Sequence, residues 1–200
     1  MDSAELLDTI EQEVQTELSR LGSSKSLYAD TEGDMDAGPV LRAAADNAAT
    51  AIETFEGWDG AVFTDAAEHL RVHYGELVDE LGDHEAGEPS AAVTALAEAD
   101  GEIEQLGATV GWTLVTERKS TQSSGYFTGQ AQPGTASTFR SFGDDYDAIR
   151  EAALDALDDA CDSEEEYKQA QDAATTVIEA AYDEYFETLE SLGMNPKPVC

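Results

Sequence analysis

All three histidines of the chain, His69, His73 and His84, fall within sixteen residues. Asp65, His69, His73 and Glu76 follow one another at i, i+4, i+8 and i+11, a spacing that lines them along one helix face. Two histidines four apart can chelate a transition metal, with carboxylates completing the set. The apolar stripe of that segment centres on Leu70 and Tyr74, and at ~100° per residue His69 lies about 110° from it. His73 sits nearer the edge of the stripe. The expected reading is a solvated face that happens to carry two histidines.

Carboxylates at core positions carry a sharper signal. Ile10, Val14, Glu17, Leu21, Ser24 and Tyr28 are spaced 4, 3, 4, 3 and 4, which sets Glu17 inside an apolar stripe. Glu117 follows Val110 and Leu114 on the core-facing line of another segment. A carboxylate there must be neutralised, hydrogen-bonded or bound to a cation. Pairing with Lys25, Arg118 or another base would satisfy it. Two such carboxylates on different helices can equally begin a site for iron or another divalent metal.

A third constellation is defined by what it lacks. From Gln105 to Phe142 the only acid is Glu117, set against Arg118, Lys119 and Arg140, so 38 residues carry a net charge of +2. At the chain's average acid density about eight acids would fall there. A segment that forgoes acids in so acidic a chain is either buried by the fold or covered by a partner. Two apolar faces over Gln105–Val115 predict burial for that part. Ser120–Phe142 is polar and glycine-rich, with Tyr126, Phe127 and Phe139 interleaved among Arg118, Lys119 and Arg140. That mixture predicts an interface, first of all with a second copy of the chain. Three positive charges are too few for a nucleic-acid surface, so an RNA or anion contact ranks behind it.

The elements that must position these residues are helical, because apolar residues recur with period 3.6 and alternation is hard to find. The pattern predicts an all-α fold: an antiparallel bundle of five to six helices over 2–30, 37–57, 61–81, 91–119, 138–160 and 163–192. These form one domain, 1–192, followed by a flexible tail, 193–200. Asp36 can cap the second helix, with Pro39 near its first turn, where a missing N–H costs little. Ser163 and Glu166 make a capping box for the last. Ser120–Ser137, rich in Gly, Ser, Thr and Gln, is expected to be a loop.

Forty-four acids against ten bases give a net charge of −34 over 200 residues, with lysine at four positions. Such charge repels itself and penalises the compact state unless concentrated salt screens it. Spread along the chain rather than blocked into a tail, it predicts a protein adapted to molar internal salt, and hence cytoplasmic. It argues against broad nonspecific DNA binding. A hydrophobic fraction of 41% is ample for a core. The N-terminus shows no signal-peptide pattern, and no apolar run reaches membrane-spanning length. Cys161 and Cys200 form neither a metal spacing nor a disulfide framework. No Walker, dinucleotide-glycine or Gly-x-Ser-x-Gly pattern occurs.

Several of these residues together resemble a known family. Glu17 and Tyr28, the Glu32-Gly33 turn, Ala44, Ala48, Glu53-Thr54-Phe55-Glu56 and Ala67-Glu68-His69-Leu70-Arg71-Val72-His73-Tyr74 resemble the first half of the rubrerythrin and ferritin-like proteins. The resemblance spans about residues 5–80. It implies a four-helix bundle in which carboxylates and Glu-x-x-His pairs hold two irons for oxygen or peroxide chemistry. Carried over, Glu17 is the first-helix ligand and Glu53 or Glu56 the second-helix ligand. The chain contains no Glu-x-x-His, and no histidine follows His84. The expectation is therefore a degenerate ferritin-like bundle acting through protein–protein interaction or self-association by way of Arg118–Arg140. A carboxylate-bridged di-metal oxidoreductase using Glu17, Glu117 and Glu53 is the alternative.

Overall fold

The computed structural model describes residues 1–196. Among these residues there are nine helices and no strand. They are α1 (Ser3–Glu13), α2 (Gln15–Leu21), α3 (Ser24–Asp30), α4 (Ala37–Glu56), α5 (Ala61–Leu81), α6 (Ala91–Ala97), α7 (Glu102–Gly129), α8 (Pro133–Ala160) and α9 (Glu164–Ser191). The all-α expectation holds, and the count is nine rather than five or six.

The extra helices come from breaks within expected ones. Val14 (φ −107°, ψ 30°) interrupts the first segment although its N–H still donates to Ile10 O. Gly22 closes α2, and Ser23 takes extended backbone before α3. The apolar stripe crosses both breaks in phase, burying Leu6, Ile10, Val14, Leu18, Leu21 and Leu27. Farther along, Gly101 has φ 86°, a left-handed conformation that favours glycine, and it separates α6 from α7.

Helix α7 is the axis of the molecule. It packs most extensively on α8 and next on α9, while α4 pairs with α5. Every residue from Leu106 to Thr116 is buried, as a helix apolar on two sides requires. Gly107 and Gly111 lie against the backbone of Ala170 and Ala174, which lets α7 and α9 approach closely. Trp112 packs edge-on against Phe55 and Tyr146, with ring centroids 5.4 and 5.6 Å away.

The expected loop over Ser120–Ser137 is instead mostly helix: α7 continues to Gly129 and α8 begins at Pro133. Ser120, Ser123, Ser124 and Phe127 form a buried stripe at i, i+3, i+4 and i+7. The Ser120 hydroxyl donates to Phe139 O at 2.6 Å and the Ser124 hydroxyl to Ala136 O at 3.0 Å. Facing carbonyls thus satisfy the serine hydroxyls across the α7–α8 hairpin, so small polar residues pack where larger apolar ones would hold the helices apart. The turn between them passes through Ala131 at φ 56°.

Part of the expected flexible tail is held in place. Arg20 Nη1 donates to Pro196 O and Lys25 Nζ to Asn195 O, both at 2.7 Å. Residues 197–200, Cys200 included, lie outside the described residues. No helix of the described residues is long and apolar enough to cross a membrane.

Candidate functional site

A cavity of about 360 Å³ opens between α3, α4, α7, α8, α9 and the segment Glu88–Ser90 that precedes α6. Its walls follow from helical spacing. Helix α7 contributes Thr116, Lys119, Ser120 and Ser123; α8 contributes Phe139, Phe142 and Tyr146. Helix α9 adds Ala181, Glu184, Tyr185 and Thr188, and α4 adds Val40, Ala43, Ala44 and Asn47 with Asp46 beside them. Each set recurs at three- and four-residue intervals, so each helix offers one face to a common space. Two of the walls belong to the acid-poor window.

Polar groups at the wall are arranged with care for their partners. Lys119 Nζ lies 2.6 Å from Asp30 Oδ1, so the one cationic side chain of the lining is already paired. Asp46 Oδ1 accepts from His84 Nε2 at 3.0 Å and from the Gly87 N–H at 2.7 Å, which ties the α5–α6 connection down beside the cavity. Glu184 Oε1 accepts from the Ala91 N–H at 3.0 Å. Thr116 is nine-tenths buried and lines the cavity wall.

Two tyrosine–histidine–aspartate chains end at this cavity. In the first, His73 Nε2 lies 2.8 Å from Asp145 Oδ2, and His73 Nδ1 lies 3.3 Å from the Tyr146 hydroxyl. An ionised carboxylate can only accept, so Nε2 carries the proton and Nδ1 accepts from Tyr146 O–H. The Phe142 ring stacks on the imidazole at 4.0 Å. Burial pushes the His73 pKa below its ordinary value, and the Asp145 hydrogen bond opposes the shift without reversing it. Burial, aided by the Asp145 charge, pushes the Tyr146 phenol far above its usual range and keeps it neutral. In the second chain, Tyr74 Oη is 3.2 Å from His84 Nδ1, whose Nε2 reaches Asp46. Tyr146 and Asp46 are the members that line the cavity.

The expected solvated histidine face is therefore corrected. His73 is only 1% exposed and His69 is 43% exposed, and both turn towards the one carboxylate of Asp145. With Asp145 they make no group of three placed to hold a metal ion among the described residues. Asp145 is 72 residues from His73 in sequence, and no spacing rule points to it.

The carboxylates singled out for metal are dispersed. Glu17 is half-buried on α2 and Glu53 is exposed on α4. Glu117 accepts from Arg150 Nη1 at 2.6 Å, and Arg150 also pairs with Asp147. Glu56 accepts from Arg71 at 2.6 Å on the surface. Among the described residues no group of three or more His, Cys, Asp and Glu side chains is placed to hold a metal ion. The base-pairing expectation thus describes Glu117, with Arg150 rather than Arg118 as its partner.

Most of the residues expected at an interface are spent inside the chain. Phe127 and Phe139 are buried and stack on each other at 5.5 Å. Tyr126 donates to Met35 O at 2.7 Å, and Arg118 pairs with Glu11 at 2.9 Å while also donating to Leu114 O. Arg140 is the exposed member and reaches the Thr128 hydroxyl at 3.2 Å. What the window's composition signalled is largely burial by the protein's own helices.

No family model, curated protein or solved structure matches the chain.

Proposed function

We propose that this chain is a small-molecule-binding helical bundle whose ligand enters the cavity between α4, α7, α8 and α9. The observation that carries the reading is the composition of the walls. The acid-poor window supplies a hydroxyl-bearing face from α7 and an aromatic face from α8, and both line the same 360 Å³ space. That volume lies within the range of ordinary ligand sites, about 300–1,000 Å³, and such sites join apolar walls to a few fixed polar groups. Asp46, Tyr146 and Thr116 are such groups here. The two histidine chains hold the first two in place, as supporting hydrogen bonds do in built sites.

This reading replaces a partner as the reason for the window. Self-association through Arg118–Arg140 loses its main support, because Phe127 and Phe139 are buried within one chain. The di-metal oxidoreductase has none of its ligands gathered, and a ferritin-like ancestry bears on architecture alone. A surface adapted to molar salt remains part of the proposal, since charge of this density needs screening.

Thermal unfolding of the purified protein tests the reading with benzyl alcohol as a neutral aromatic probe. The alcohol should raise the Tm of the wild type and leave Ala44→Phe unmoved, because a phenyl ring at position 44 occupies the cavity. An equal response in both proteins would remove the cavity from consideration.

A further inference from the structure

Resting on that cavity reading, we propose that the segment between α5 and α6 is a gate over the cavity, and that His84 seated on Asp46 is its latch. The remaining walls belong to helices or to the turn that ends α3. Glu88, Pro89 and Ser90 reach the space from chain that is neither helix nor strand. This segment hangs between two fixed points. Gly82, at φ 82°, ends α5, and the Ser90 hydroxyl caps α6 by accepting from the Val93 N–H. Between them, residues 83–89 make no backbone–backbone hydrogen bond among the described residues.

One side chain holds the segment down. Of residues 82–89 every one but His84 is exposed, whereas the His84 side chain is 2% exposed. Its ring stands edge-on to Tyr74, with centroids 5.6 Å apart, and its Nδ1 lies 3.2 Å from Tyr74 Oη. On the other side Nε2 lies 3.0 Å from Asp46 Oδ1, and the same oxygen accepts from the Gly87 N–H at 2.7 Å. A permanent wall spreads its ties over several neighbours, and here they converge on one imidazole and one carboxylate. Exposed chain with unbonded backbone opens locally at low free energy. A helical wall must break its own hydrogen-bond ladder to do the same. Release of His84 therefore frees Glu88 and Pro89 from the wall and opens the cavity on the side where Asp46 stands. A lid of this kind governs entry and release without remaking the site.

Exchange of para-fluorobenzyl alcohol, followed by fluorine relaxation dispersion, reads the gate directly. In His84→Ala the latch loses its hydrogen bond to a carboxylate. Entry and release should both quicken, by about fivefold or more, with affinity changing less than either rate. A lock supplies the opposite perturbation. The would-be Cβ of Gly87 stands 3.4 Å from Asp46 Cγ, within disulfide reach, and Gly87 has no positive φ to exclude a side chain. Asp46→Cys/Gly87→Cys, built on Cys161→Ser/Cys200→Ser, should exchange the probe about tenfold more slowly when oxidised than after reduction. Thermal melts verify the fold of each variant. Equal exchange in the oxidised and reduced forms would overturn the gate while the cavity reading survives. If the probe does not bind the wild type, the cavity reading fails and the gate falls with it.

Discussion

A single methyl group placed between α7 and α9 measures how much stability rests on their close approach. In Gly107→Ala the new Cβ would lie 2.6 Å from Ala170 Cα and 2.8 Å from Ala170 C. Carbon atoms prefer about 3.5–4.0 Å, so the two backbones must part by roughly 1 Å. The obstacle is main chain on both sides, and no rotamer relieves it. Overpacking costs about 1–3 kcal/mol, and a backbone-limited site belongs at the upper end. Alanine returns about 1 kcal/mol through helix propensity. The net expectation is a loss of about 2 kcal/mol, or roughly 4–8 °C in Tm for a chain of this size.

The control lies on the same helix. Gly125 is exposed, with nothing within 4 Å of its would-be Cβ, so Gly125→Ala should stabilise by about 0.5–1 kcal/mol. Gly107→Ala/Gly111→Ala should cost less than the sum of the single changes, because one separation relieves both clashes. Urea unfolding followed by circular dichroism measures all five proteins: wild type, Gly107→Ala, Gly111→Ala, the double variant and Gly125→Ala. Equal stability for Gly107→Ala and wild type would refute the packing argument, and Gly125→Ala guards against a general alanine effect.

Two further expectations concern charge. The depressed His73 pKa makes the folded state reluctant to take a proton that the unfolded chain accepts near pH 6.5. Stability should be full above about pH 6.5 and fall as pH drops towards the folded pKa, by at most about 1.4 kcal/mol per pH unit from this group. In His73→Gln that part of the slope should vanish, and an unchanged slope would show that His73 titrates normally. Exchange from molar KCl into about 0.05 M salt lengthens the Debye length several-fold and should lower the Tm. A Tm that is flat or rising on dilution would contradict salt adaptation.

The helical character was legible because its evidence is local. Expected spans of 37–57, 61–81 and 163–192 correspond closely to Ala37–Glu56, Ala61–Leu81 and Glu164–Ser191. Breaks at Val14 and Gly22 were not legible, since an apolar stripe reports where side chains point and not whether each backbone hydrogen bond continues. Ser120–Ser137 misled for a different reason. Serine and glycine favour turns because they compete for or loosen the backbone, but here α8 carbonyls occupy the Ser120 and Ser124 hydroxyls and the competition is removed. Of the site, the Phe139, Phe142 and Tyr146 spacing was present to be read, whereas the pairing of His73 with Asp145 depends on how α5 meets α8.

The acid-poor window also shows why a composition signal can locate a site and mistake its nature. A carboxylate facing brine costs little, while one facing a protein wall must be desolvated or paired. Acids are therefore absent wherever water is scarce, whether the covering is a partner, a neighbouring helix or an enclosed ligand space. Composition alone does not separate the three, but the residues that replace the acids do. Over Leu106–Val115 the replacements are chiefly aliphatic, aromatic or very small, and the helix there is sealed on every side. Over Thr116–Phe142 hydroxyls and rings share faces of α7 and α8, and those faces border a cavity. Two faces that only met each other would close such a space, and these leave about 360 Å³ open.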